Sequence, residues 1–314
     1  MAPRRPLADT RLDPLKELHI EYDALHRATV KIDSLRRNGR IDSKARCATL
    51  SGPTGAGKTR LIDAYIEECN AGAAAEGIDI PPVRKFLVPA KCSPTNLNAL
   101  MLNALGAPVV NRERVTDATL RVCNGISEDG WELIIFDEAQ HLIRHGTPKD
   151  VYQVADHVKT LLDAAKCPIL LVGLDNLHAI FEGNPQLKRR TKSRITIPAF
   201  DWKKVEQRNE FRAILREFDE VLPFKRRSGL DDPELAARLN YASGGVIGQV
   251  ARILIDASEI GLAQGAQSLT RKALAEAYND YRLSGEGRKF NPFGSKPLPD
   301  DWRPRDDDYG TFKG

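Results

Sequence analysis

From Leu15 to Arg37 the apolar residues Leu15, Leu18, Ile20, Tyr22, Leu25, Val30, Ile32 and Leu35 recur at roughly helical spacing, which predicts one or two helices. The pattern then shortens into apolar runs. Arg46–Leu50, Val83–Pro89, Leu133–Asp137, Ile169–Gly173 and Arg194–Ile197 read as strands, the first ending at a glycine-rich turn. Between them Thr59–Ala71, Ser93–Leu105 and Val151–Ala165 read as helices; in the second, Leu97, Leu100, Met101 and Leu105 share one face. Strands alternating with helices at this pitch predict an α/β fold, a parallel sheet flanked by helices on both faces.

After Pro198 the character changes. Trp202–Val221, Pro233–Ala242, Val246–Leu262 and Thr270–Leu283 are helical in pattern with no strand between them, which predicts a small all-helical domain. From Ser284 glycine, proline and charge dominate and periodicity is lost. The expected organisation is a flexible arm over residues 1–14, an α/β domain with N-terminal helices over 15–200, the helical domain over 201–284 and a disordered tail over 285–314. The tail carries Phe290, Phe293, Trp302, Tyr309 and Phe312, which suits a short docking peptide as well as an inert tail.

Composition narrows the class. The chain has 314 residues, 41% hydrophobic and 29% charged, ordinary for a soluble globular protein of one large or two modest domains. A net charge of +4 permits nucleic-acid binding without demanding it. The opening MAPRRPLADTRLDP has no apolar stretch behind its arginines, so it does not read as a secretory signal, and no apolar run is long enough to predict a membrane span. A cytoplasmic location is expected. Cys47, Cys69, Cys92, Cys123 and Cys167 stand singly, with no C-x-x-C pair. They read as packing residues with free thiols rather than zinc ligands.

The chemistry sits in two stretches. Residues 52–59, GPTGAGKT, match the phosphate-loop pattern at every fixed position, between an expected strand and an expected helix. Gly52, Gly55 and Gly57 let backbone N–H groups turn inward around phosphates, at the positive end of the following helix. Lys58 is the candidate for the β- and γ-phosphates, and Thr59 for a hydroxyl on Mg²⁺. Pro53, Thr54, Ala56 and Arg60 complete the stretch expected to line ATP. The second stretch is LIIFDEAQHL, Leu133–Leu142, where a buried strand delivers Asp137 and Glu138 at its C-terminal end. Ligands bind at that end of open α/β sheets. Asp137 suits Mg²⁺ support, and Glu138 suits the base that activates water. One intervening strand and an adjacent glutamate place the chain among ATPases that hydrolyse with their own glutamate, rather than kinases or GTPases.

SGPTGAGKT, LIIFDEAQHL, LLVGLDNL and NPQLKRR running into RITIPAFDW together resemble the TniB/TnsC family of AAA+ transposition regulators, related to MuB and ExeA-like ATPases, over residues 15–280. The resemblance implies an AAA+ core followed by a helical lid domain. It implies a protein that binds ATP and Mg²⁺ and assembles with itself as a ring or helical filament on double-stranded DNA without sequence specificity. It further implies recruitment of a DDE-type transposase, hydrolysis-driven disassembly, a TniQ-type target-selection protein as companion, and no membrane association. By the same resemblance Asp175 or Asn176 occupies the sensor-1 position, although a simple Asx turn accounts for either. Arg189 and Arg190, in a basic run from Lys188 to Arg194, are candidates for an arginine finger reaching a neighbouring subunit; a solvated basic face or direct DNA-phosphate contacts are the alternatives. In ASGGVIGQVARIL, Gln249 stands near where a sensor-2 arginine is common, and Arg252 lies one turn on.

Candidate DNA contacts are Lys91, Arg112, Arg114 and Arg121, with Arg144, His145 and Lys149 as weaker ones. Competing expectations are an ExeA-like secretion or assembly ATPase, a helicase-loader-type AAA+ protein, and a nucleotide-gated scaffold that barely hydrolyses.

Overall fold

The computed structural model describes residues 10–39, 45–90, 92–142, 148–182, 185–283 and 290–302. The chain forms two units: residues 23–198, and residues 10–22 together with the chain from Ala199 onward. The first helix, α1 (Asp13–Glu17), belongs to the second of these. The α/β unit opens with α2 (Asp23–Gly39) and continues through β1 (Cys47–Ser51), α3 (Lys58–Ala75), β2 (Val83–Leu87), α4 (Pro94–Ala104), α5 (Val115–Glu128), β3 (Leu133–Asp137), α6 (Pro148–Ala165), β4 (Ile169–Gly173), α7 (Ala179–Glu182), α8 (Pro185–Arg190) and β5 (Thr191–Thr196).

The strands form one parallel sheet in the order β2-β3-β4-β1-β5. Every residue of β1, β3 and β4 is buried, because helices cover both faces, and this explains why β3 and β4 read as apolar runs up to their last residue. The edge strands β2 and β5 are only partly buried. The register aligns the strand ends: Ser51 pairs with Gly173, and Phe136 with Leu171. Ser51, Asp137 and Gly173 therefore finish on one edge of the sheet. β5 begins at Thr191, three residues before the expected start, because its first half, Thr191–Ser193, is polar edge backbone without an apolar signature.

Polar groups fix the helices locally. Ser93 caps α4 by accepting the Asn96 N–H, with Pro94 at the first helical position. A buried amide joins α4 to α5: Asn98 Nδ2 donates to Thr119 Oγ1 at 2.9 Å and to the Val115 carbonyl at 3.2 Å. The buried face of α5 is built from Ala118, Thr119, Val122, Cys123 and Ile126, several of them small or polar, so the helix carries little apolar signature. Arg36 on α2 pairs with Glu132 at 2.7 Å, just ahead of β3. All five cysteines are free, and all but Cys69 are buried, as packing residues should be.

The helical unit contains α9 (Val205–Val221), α10 (Pro233–Ser243), α11 (Ile247–Ala263) and α12 (Arg271–Leu283). Asp232 caps α10 by accepting from Glu234 N–H and Leu235 N–H, and Gly244 ends it in the left-handed region at φ 62°. Asp219 is buried and accepts the N–H groups of Ser228 and Gly229, which holds the loop after α9.

Two boundaries differ from the sequence expectation. Residues 10–14 are not a free arm: Leu12 and Leu15 are fully buried, and α1 packs against α9 and α11. Residues 290–302 likewise form an ordered strap on the helical unit. Phe293 is 3% exposed and meets Tyr278 edge-on at 5.8 Å; Tyr241 contacts both Phe290 and Trp302. The strap's backbone is satisfied by side chains of the helices. Arg238 donates to the carbonyls of Pro292 and Lys296, Arg271 to that of Phe293, and Trp302 Nε1 donates to Asn240 Oδ1 at 3.1 Å. A strap held this way needs no periodicity of its own, so its sequence looks like a disordered tail.

Replacing Phe293 with Ala is expected to destabilise the helical unit by about 3–5 kcal/mol, the usual loss for a buried phenylalanine. Denaturant unfolding followed by hydrogen exchange at α12 amides measures this. A surface-like loss of about 0.5 kcal/mol would mean the strap is not packed in solution.

Candidate nucleotide site

The phosphate loop leaves β1 at Ser51, whose carbonyl accepts the Ile197 N–H at 2.8 Å beyond the end of β5. That pairing brings Gly52 against the Ile197 carbonyl. A Cβ at residue 52 would lie 2.4 Å from that backbone oxygen, so only glycine fits. Gly55 and Gly57 then adopt φ values of 85° and 87°, the left-handed region that turns successive N–H groups inward. Ala56 is buried, and its N–H donates to the Pro53 carbonyl at 3.2 Å. Thr54, Gly55 and Arg60 are exposed around the loop. α3 begins at Lys58, so its positive end faces the loop.

Lys58 folds back on this loop, donating to the carbonyls of Gly52 at 2.7 Å and Pro53 at 2.9 Å. Burial lowers its pKa, and the carboxylates of Glu138, Asp137 and Asp175, in that order, oppose the shift. The acidic residues that the sequence singled out thus favour the charged form of this ammonium. Thr59 Oγ1 donates to Asp137 Oδ2 at 3.2 Å, and Asp137 is only 3% exposed. A hydroxyl and a carboxylate at the junction of α3 and β3 form the hard-oxygen pair that suits Mg²⁺. The loop's inward N–H groups, the lysine and this oxygen pair fit a magnesium nucleoside triphosphate.

The turn after β3 is locked at each residue. Glu138 has φ 56°, uncommon for a non-glycine residue. Its N–H donates to Asp137 Oδ1, and its carbonyl accepts the His141 N–H, both at 2.9 Å. His141 Nδ1 lies 2.8 Å from the Val88 carbonyl; a carbonyl only accepts, so Nδ1 carries the proton. Gln140 is buried and bonds to Glu138 Oε2 through Nε2 and to the Leu174 N–H through Oε1. The sequence marked Gln140 and His141 only as part of a family pattern. Their roles depend on β2 and β4 contacts that spacing along the chain does not encode.

The remaining candidates separate. Asp175 and Asn176 are exposed in the short 3-10 turn Asp175–His178 following β4, and only Asp175 is among the acidic groups acting on Lys58. Arg190 is engaged by Asp163 at 2.5 Å, whereas Arg189 is exposed at the end of α8. Arg121 pairs with Glu113 and donates to the Pro108 carbonyl, so it braces the α4–α5 loop. Arg112, at φ 62°, and Arg114 are exposed in that loop. Lys91, Arg144 and His145 lie outside the described residues, as does the side chain of Lys149. Gln249 and Arg252 lie near the start of α11 in the helical unit.

The sequence matches the family described as Bacterial TniB protein over residues 15–203. No curated protein matches it significantly. Among solved structures it is similar to the Aeropyrum pernix ORC2 protein in ADPNP–ADP complexes, with a TM-score of 0.60, 19% identity, and coverage of 87% of this chain and 72% of that one. Cdc6p from Pyrobaculum aerophilum gives a TM-score of 0.60 at 13% identity, covering 86% of this chain and 70% of that one. Drosophila ORC bound to DNA gives 0.57 at 13% identity, covering 89% of this chain and 68% of that one. At these identities the likeness shows the fold alone: a five-stranded parallel α/β core followed by helices consistent with a lid. Among the described residues no helix is long and apolar enough to cross a membrane.

Gly52→Ala is expected to abolish ATP-analogue binding while leaving the protein folded, since the clash is confined to the loop's entry. Calorimetric titration with the analogue, beside a circular dichroism spectrum, checks this. Binding at wild-type affinity would show that the Ile197 contact does not shape the site.

Proposed function

Since the chain belongs to the TniB family, we propose that it is an ATP-hydrolysing regulator of DNA transposition that assembles on double-stranded target DNA. The observation that carries this reading is the convergence of Lys58, Thr59, Asp137 and Glu138 on one edge of the sheet. In this reading the loop N–H groups take the phosphates, and Lys58 leaves the carbonyls of Gly52 and Pro53 for the β- and γ-phosphate oxygens. Thr59 and Asp137 hold Mg²⁺, which when bound neutralises charge on those oxygens. Glu138 accepts the proton of the attacking water, and Asp175 or Asn176 orients that water.

Arg189 is the better finger candidate, because Arg190 is already committed to Asp163. A finger supplied by a neighbouring copy makes hydrolysis depend on assembly. Arg112 and Arg114 are the candidate phosphate contacts on DNA. Arg114 sits at the start of α5, where a cation opposes the helix dipole, so helix stability does not account for it. A weak contact repeated along a ring or filament gains strength through avidity, which agrees with a net charge of only +4. The neighbour Drosophila ORC is bound to DNA, which supports the same interaction here. Recruitment of a DDE-type transposase, partnership with a TniQ-type protein and a cytoplasmic site of action complete the proposal on the strength of the family.

Imaging the protein with linear duplex DNA, with and without a slowly hydrolysed ATP analogue, tests the reading directly. Analogue-dependent rings or filaments on DNA are expected. A monomer free of DNA at low and moderate salt would sink it and favour a protein-remodelling ATPase. Glu138→Gln is expected to keep ATP and DNA binding, to slow turnover about 10²–10⁴-fold, and to accumulate assemblies. Rapid turnover in that variant would remove Glu138 as the base. Arg189→Ala should lower assembly-dependent turnover more than Arg190→Ala, with monomer nucleotide affinity unchanged in both. The reverse order would transfer the finger to Arg190.

A further inference from the structure

We propose that Gln140 is a positioning residue that ties the Glu138 carboxylate to the C-terminal end of β4, so that movement at one is felt at the other. The inference rests on the hydrolysis reading above and adds a residue to it.

Gln140 is 4% exposed, and its amide is split between two partners. Nε2 donates to Glu138 Oε2, and Oε1 accepts the Leu174 N–H at 3.3 Å. Leu174 follows the last residue of β4 and immediately precedes Asp175 and Asn176. A primary amide is the side chain that offers a donor to a carboxylate and an acceptor to a backbone N–H at the same time. A carboxylate at 140 keeps the acceptor and loses the donor; an apolar residue loses both.

A second position agrees. A Cβ on Gly173 would fall 2.2 Å from Gln140 Oε1. The path of the amide across the end of β4 is therefore open only because residue 173 is glycine. The backbone of Glu138 is already fixed by Asp137 Oδ1 and the His141 N–H. Its side chain is what remains free, and Gln140 is what holds it. Asp137 Oδ2 accepts from Thr59 Oγ1 at 3.2 Å, so the turn that carries the Glu138 side chain begins at the phosphate loop. Gln140 thus keeps the base directed at the site, and a displacement of residues 174–176 is transmitted to it.

The test compares Gln140→Glu, Gln140→Leu, Gly173→Ala and Glu138→Gln with the double variant Glu138→Gln/Gln140→Leu. Three readouts are taken: ATP turnover, ATP-analogue affinity by calorimetry, and hydrogen exchange at the Leu174 amide without nucleotide. Gln140→Glu, Gln140→Leu and Gly173→Ala should each lower kcat about tenfold to a hundredfold, the cost of a misplaced catalytic group, with affinity changed less than about threefold. Leu174 exchange should accelerate in Gln140→Leu and Gly173→Ala but not in Gln140→Glu, which retains the acceptor. The double variant should be no slower than Glu138→Gln, because Gln140 acts only through Glu138. Wild-type kcat in Gln140→Glu, or a further loss in the double variant, overturns the proposal. Unchanged Leu174 exchange in Gln140→Leu overturns it too, even if the wild-type protein binds ATP without turnover and the hydrolysis reading itself has failed.

Discussion

Parallel pairing of β1 with β4, and of β4 with β3, is the constraint from which the site follows. Strands that run parallel and in register must end together. Here that places Ser51, Asp137 and Gly173 on one edge, each continuing into a turn that carries a candidate functional group. The charged and catalytic candidates stand at the ends of the buried strands. β5 adds the last element: its continuation at Ile197 presses on Gly52 and fixes where the phosphate loop departs.

At that edge several polar groups bond one another. Lys58 bonds the loop's own carbonyls, Thr59 bonds Asp137, and Gln140 bonds Glu138 and Leu174. Each of these would be costly if buried without a partner. In the proposed reading a triphosphate and its metal would give the lysine and the hydroxyl new partners, so binding would exchange hydrogen bonds already made. The left-handed backbone at Glu138 belongs to the same arrangement, a local strain held by bonds on both sides.

The helical unit is made by segments from both ends of the described chain. Leu12 and Leu15 enter it from one side of the sequence, Phe293 and Leu298 from the other, and all four are buried. The α/β unit lies between them in sequence. Residues 10–22 and 290–302 thus act as packing elements whose worth depends on helices distant in sequence.

The sequence by itself determined the α/β alternation, the phosphate loop and the Asp137–Glu138 pair. These rest on local signals: short, mostly apolar runs in doubly covered strands, glycines where the backbone turns, and acidic residues at a strand end. The start of α4 was legible for the same reason, since Ser93 and Pro94 act within one turn. Tertiary structure decided the rest. It decided that Arg121 braces a loop and Arg190 meets Asp163, because ion pairing depends on which surfaces come together. It made residues 290–302 a strap, because Arg238 and Arg271 reach its carbonyls from distant helices and Asn240 holds the Trp302 indole. It gave Gln140 its two partners, because one of them, the Leu174 N–H, follows the neighbouring strand β4, thirty-four positions away. Local geometry is written in neighbouring residues; partnership across a fold is written only in the register that brings distant residues together.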